Sequence, residues 1–193
     1  MTDSVSLCNL ALTHIGEMGN IASIDPPEGS VHAELCAIYF PIVLTEVLED
    51  HQWSFARKRM VLARLSDDSS DGQGRYALPT DYVTAIDVFD SSDVRMGFSL
   101  EVGVLLTNTN NPELFYISNA VDFGRWPKKV LTGMSHLLAS YLAGSLTRDP
   151  KVISSQRNLY MARLAEAKAM DSNSEKQTES ITHDFVPAWM RGR

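Results

Sequence analysis

AELCAIYFPIVLTEVLEDHQWSFARKRMVLA, residues 33–63, carries two periods in succession, and the change from one to the other decides the fold. In its first half the apolar residues Leu35, Ile38, Tyr39, Ile42 and Leu48 recur at helical spacing, with Val31 just upstream. Ser30 stands before this run as an N-cap, where its hydroxyl can accept from the unpaired amides of the first turn. Pro41 lies inside the run; it has no N–H to donate, so the spacing predicts a kink in a stripe that continues on both sides. From Arg57 onward the helical period is gone.

Working outward, Leu7, Cys8, Ala11, Leu12 and Ile15 predict a short first helix, with Gly16 and Gly19 able to end it. Downstream, 82–89, 99–106 and 114–117 are rich in β-formers and separated by Gly, Ser, Asn and Asp, which predicts an antiparallel β insertion over 57–120. Residues 66–74, SDDSSDGQG, read as an exposed loop tip. Helical period returns in Val130, Leu131, Met134, Leu137, Leu138, Tyr141 and Leu142. It returns again, after Asp149-Pro150, in Val152, Gln156, Leu159, Tyr160, Arg163, Leu164 and Ala167. The short link between these stripes predicts an antiparallel pair. The expected fold is mainly α with a small β insertion (α+β). Its helical body is 1–56 and 121–170, an antiparallel bundle, and 171–193 is a flexible, extended C-terminal arm, because MDSNSEKQTES has almost no apolar content.

The 193 residues carry 17 Lys and Arg against 24 Asp and Glu, a formal charge of -7, which argues against a surface that grips nucleic acid by neutralising phosphates. No apolar run is expected to span a bilayer, and Asp3 stands where a signal peptide carries Lys or Arg, so the chain is expected inside a cell.

Chemistry is thin. Cys8 and Cys36 lack CxxC spacing and read as buried thiols, and the five His form no ligand pattern, so no metal or cofactor is expected. Gly133-Met134-Ser135-His136-Leu137 misses the GxSxG elbow by one residue and lies within a helical stripe, so Ser135 is not read as a nucleophile. Glu46, Glu49 and Asp50 read as a solvated acidic helix end rather than a glycosidase pair. The basic groups Arg57, Lys58, Arg59, Arg64 and Arg125, Lys128, Lys129 read as partners for acidic patches on a neighbouring subunit.

Three stretches in order, LCNLALTHIGE (7–17), the opening stretch, and YALPTDYV (76–83), resemble the head-to-tail adaptor proteins of short-tailed phages, the group of tail tubular protein A and the tail accessory factors. WSFA followed by YxLPxDY is the most distinctive part. The resemblance implies a structural protein without catalysis and without a cofactor, resident in the virion neck after assembly in the host cytoplasm. It would bind the portal protein in a self-associated ring of about twelve copies and extend the DNA channel as a platform for nozzle, plug or tailspike proteins. What transfers residue by residue is the motif Trp53, Phe55, Tyr76, Leu78, Pro79, Asp81 and Tyr82, expected to join the second helix to the β insertion, with Trp53 and Tyr82 largely buried. The ending FVPAWMRGR has the composition of a segment that orders on binding, so Phe185, Val186, Trp189, Met190, Arg191 and Arg193 are the expected docking residues for the portal or an adjacent copy. Two other classes remain: a cell-wall (peptidoglycan) glycosidase using Glu46 with Glu49 or Asp50, and a helical interaction module unconnected with virions.

Overall fold

A computed structural model describes residues 3–18, 20–65, 72–120 and 122–184. Among the described residues the protein is 48% helical and 21% strand, a mixed α+β fold of four helices and two small antiparallel sheets. It divides into two compact units, 1–43 with 123–193 and 44–122. The first division therefore falls inside a helix, not after residue 56. Periodicity marks where a helix stops, whereas compactness follows what its side chains pack against.

The helical unit is built from α1 (Ser4–His14), the first part of α2 (Val31–Glu49), α3 (Lys128–Leu146) and α4 (Pro150–Asp184). Asp3 caps α1 by accepting the Ser6 N–H at 2.7 Å, and Gly16 takes the positive φ that follows the helix. Ser30 caps α2, its hydroxyl accepting the Ala33 N–H, and the helix runs on through Pro41. Leu7, Cys8, Ala11 and Leu12 of α1 are buried, α1 packs on α3, and α3 packs along α4.

The buried row of α2 is Ala33, Cys36, Phe40, Val43 and Val47, alternating three and four apart. Of the stripe read from the sequence, Leu48 is buried, but Val31, Ile38 and Ile42 lie on the other face, 63%, 59% and 49% exposed. Apolar residues surround this helix, so the period alone could not select the side on which small Ala33 and Cys36 permit packing. The same composition corrects the expectation about membranes, since α2 is long and apolar enough, by length and composition, to cross one; a third of its most apolar stretch is buried within the protein. The α4 backbone is also helical to Asp184 instead of leaving the helix at residue 171. No Gly or Pro interrupts 151–186, so no helix breaker stops the helix at residue 171, and it continues through a polar stretch that needs no core face.

In the second unit, α2 ends at Glu49, a 3-10 turn covers Ser54–Ala56, and seven strands follow: β1 (Arg57–Val61), β2 (Gly74–Ala77), β3 (Tyr82–Phe89), β4 (Arg95–Met96), β5 (Ser99–Glu101), β6 (Val104–Thr107) and β7 (Glu113–Ser118). One sheet has the order β1-β7-β3-β4 and the other β2-β6-β5, all antiparallel. The stretch 99–106 is not a single strand but the β5–β6 hairpin, turning where Val102 and Gly103 take positive φ. Leu62, Tyr76, Val88, Leu105, Leu114 and Tyr116 form this unit's core.

Candidate functional site

The seven residues of the motif all lie in the sheet-bearing unit, in two groups. At the end of α2, Trp53 is fully buried, donates its indole N–H to the Val47 carbonyl at 2.7 Å, stacks on Phe55 and meets the His51 ring edge-on. A ring of this size gains most from burial when its single polar atom is satisfied, and here the helix end supplies the acceptor. In the second group Tyr76 is buried and donates its hydroxyl to the Thr109 carbonyl at 2.7 Å. Its ring lies so close to Gly74 that a Cβ there would sit 2.9 Å from it, so Gly74 is required by packing. Leu78 and Tyr82 pack on the core half-buried, and the Tyr82 hydroxyl accepts the Ala85 N–H. Tyr82 is thus less enclosed than expected.

Asp81 organises the corner. Lys58 Nζ and Ser118 Oγ donate to one carboxylate oxygen at 2.7 Å each, and the Tyr116 hydroxyl donates to the other at 2.9 Å. The Asp81 carbonyl accepts the Asn119 N–H, tying the start of β3 to the end of β7. Burial alone would raise the pKa of this carboxyl, but the three donors outweigh it and hold it at about 2. In return, burial and the Asp81 contact push the Tyr116 phenol up. The sequence reading named Asp81 and Lys58 but expected Lys58 to meet a neighbouring subunit instead of Asp81, and it did not find Tyr116 or Ser118. The signal for the last two is their i, i+2 spacing, which puts both on one face of β7 beside β1 and β3.

Beside this corner lies an apolar bay of about 560 Å³. One wall is Met60 to Ala63, the other Ala77 to Thr80, and the Lys58–Asp81 ion pair closes one end. Glu46, Glu49 and Asp50 line neither this bay nor the smaller cleft of about 250 Å³ formed by Lys128, Lys129, Thr132 and Arg163. Of the basic groups, Arg59 is held by Asp93 and lies over the Phe89 ring, Lys58 by Asp81, and Lys129 and Arg163 share Glu166. These residues serve their own chain first. Phe185, Val186, Trp189, Met190, Arg191 and Arg193 lie outside the described residues.

The helical unit buries its own polar network. His14 and His136 stack with ring centroids 4.1 Å apart. Gln156 donates its amide to the His14 carbonyl at 3.0 Å, which turns its oxygen toward His136 Nδ1 at 2.8 Å. Ser135 donates to the Thr132 carbonyl and so accepts from His14 Nε2 at 3.1 Å. With its proton engaged, Ser135 cannot be activated by that imidazole. Burial and then the neighbouring His136 hold His14 below the ordinary imidazole pKa. Cys8 and Cys36, free and buried, hydrogen-bond to each other, and that contact, with burial, pushes the Cys8 thiol up. Among the described residues no group of three or more His, Cys, Asp or Glu could hold a metal ion. The chain matches no protein-family model and no curated protein.

Proposed function

We propose that this chain is a non-catalytic structural protein of a virion, a head-to-tail adaptor that binds the portal ring. It would form a ring of about twelve copies there and offer a platform to later tail proteins. The finer architecture, an antiparallel helix bundle carrying an antiparallel β subdomain, belongs to the same reading.

The observation that carries it is the uncovered face of α2. Val31, Ile38 and Ile42 stand on one side of the helix, opposite the buried row, and are each about half exposed or more. A cluster of large apolar side chains left in solvent marks an interaction surface. In a head-to-tail ring the face of one copy is covered by a different face of the next, so it need not match itself. The motif that supplies the resemblance gives that ring a rigid joint, because Trp53 and Asp81 tie up the polar atoms around them.

The test is co-sedimentation with portal rings from the same genome. The chain is expected to travel with the rings, and Ile38→Asp to lose that property while keeping its unfolding midpoint. A wild-type chain that stays behind would overturn the reading, and clearing of a peptidoglycan suspension would replace it with a hydrolase.

A further inference from the structure

The bay between β1 and the chain leaving β2 is an apolar feature that the sheet-bearing unit's own packing leaves open. β1 is the last strand of its sheet. The Leu62 N–H points to the Pro112 carbonyl, toward β7, whereas the Ala63 carbonyl and Leu65 N–H point the other way, to Ala77 and Arg75. Backbone groups alternate sides along a strand, so the N–H and C=O of Arg59 and Val61 face the same way as those of Ala63, toward the bay. The opposite wall departs at Pro79, which has no N–H to offer, and turns where the Tyr82 N–H reaches the Pro79 carbonyl. The walls meet again at the Lys58–Asp81 pair. The result is a recess pinned at both ends: too short to admit a through-running strand, deep enough for a large side chain.

Its lining asks for an apolar occupant. Met60 shares the sheet face of buried Leu114, its register neighbour, yet is 46% exposed, and Val61 beside it is 59% exposed. An edge strand with apolar side chains and open backbone groups is normally covered. Within this chain, the nine residues after α4, FVPAWMRGR, offer the matching chemistry. Of the three tryptophans, Trp53 and Trp126 are buried in their own cores, which leaves Trp189. Two and four positions after it come Arg191 and Arg193, cations on a chain of net charge -7. Glu113, the register partner of Val61 on β7, lies across β1 from the bay and has a loose 3.6 Å contact with Arg59.

We infer that the bay is the receptor for residues 185–193 of a second copy, with Trp189 inserted between Met60 and Leu78 and the following arginines outside the bay on the acidic chain. That the donor is a second copy rests on the assembly reading above; that the bay takes this segment does not. Trp and Arg are the residue types most often found at binding hot spots, and a bay of about 560 Å³ is ample for an indole with its flanking apolar contacts.

The experiment titrates a fluorescently labelled peptide of residues 185–193 into the full-length chain carrying Trp189→Ala, which frees the bay of its own segment. Saturable binding is expected, weakened at least tenfold by Trp189→Ala in the peptide or by Met60→Lys in the chain. Met60→Lys should keep its unfolding midpoint, because that side chain is already half in solvent. No saturation, or binding indifferent to Met60→Lys, would overturn the proposal. In a companion sedimentation series, the wild-type chain should self-associate at high concentration more than its Trp189→Ala form. A wild-type chain that stays monomeric yet excludes the peptide would refute donation by a second copy. Peptide binding without attachment to portal rings would leave the bay's role intact and remove the adaptor reading.

Discussion

In the sheet-bearing unit a half-buried carboxylate, Asp81, is kept ionised by Lys58, Tyr116 and Ser118; in the helical unit a pair of stacked imidazoles is enclosed with Gln156 and Ser135, and His14 is held toward its neutral form. Both networks join segments far apart in sequence. They differ in what protons do to them: one is anchored by a charge that acid must remove, the other by neutrality that acid destroys. One chain thus carries two joints that fail in different pH ranges, the imidazole joint first.

The largest effect that would sharpen this contrast lies in the same unit as the charged joint. Trp53→Ala removes a fully buried ring and its bond to Val47, and should cost about 3 to 5 kcal/mol in equilibrium unfolding. Loss of assembly with an unchanged midpoint would instead assign Trp53 to an interface.

Next in size is the carboxylate itself. Its folded pKa of about 2 lies below the ordinary Asp value, so the unfolded chain binds the proton first as pH falls. Its contribution is therefore complete above about pH 4 and lost as pH drops toward 2. Asp81→Asn should cost about 2 kcal/mol at pH 7 and almost nothing at pH 2, read from chemical unfolding at both pH values. An equal cost at both would mean that shape, not charge, holds the corner.

The imidazole joint gives a smaller and earlier change. The folded pKa of His14 is lowered, so the unfolded chain again takes the proton first, and this contribution is whole above about pH 6.5 and lost as pH falls below it. His14→Phe keeps a ring in the stack without a titrating group. Its stability should vary less than wild type between pH 7 and 5, and identical slopes would place the pH response elsewhere.

Much of this was legible in the sequence, for physical reasons that also mark where legibility ended. Asp81 and Trp53 could be singled out because their motif is local, WSFA and YxLPxDY. Lys58 and Ser118, which complete the corner, are 23 positions before and 37 after Asp81, and only strand register brings them in. The His14–His136 stack spans 122 positions and left no local trace. The strand 82–89 was visible because apolar and β-branched residues cluster there, whereas β1, RKRMV, looked only basic. On α2, apolar residues on every side made the helix obvious and its buried face unreadable.

The smallest expected change in stability comes from deleting residues 185–193. The unfolding midpoint should stay nearly constant while attachment to portal-bearing particles is lost; a large drop in midpoint would mean that the segment packs in its own subunit's core.

Electron microscopy of the wild-type chain, alone and mixed with the portal ring from the same genome, tests the central claim most directly. Alone at micromolar concentration, with a net charge of -7 opposing association, the chain should be mainly monomeric. With the portal it should form one added ring of about twelve subunits, coaxial with the portal's own. A stable ring without the portal would contradict the claim that the portal templates it, and portal particles left bare at saturating chain would contradict the adaptor reading itself.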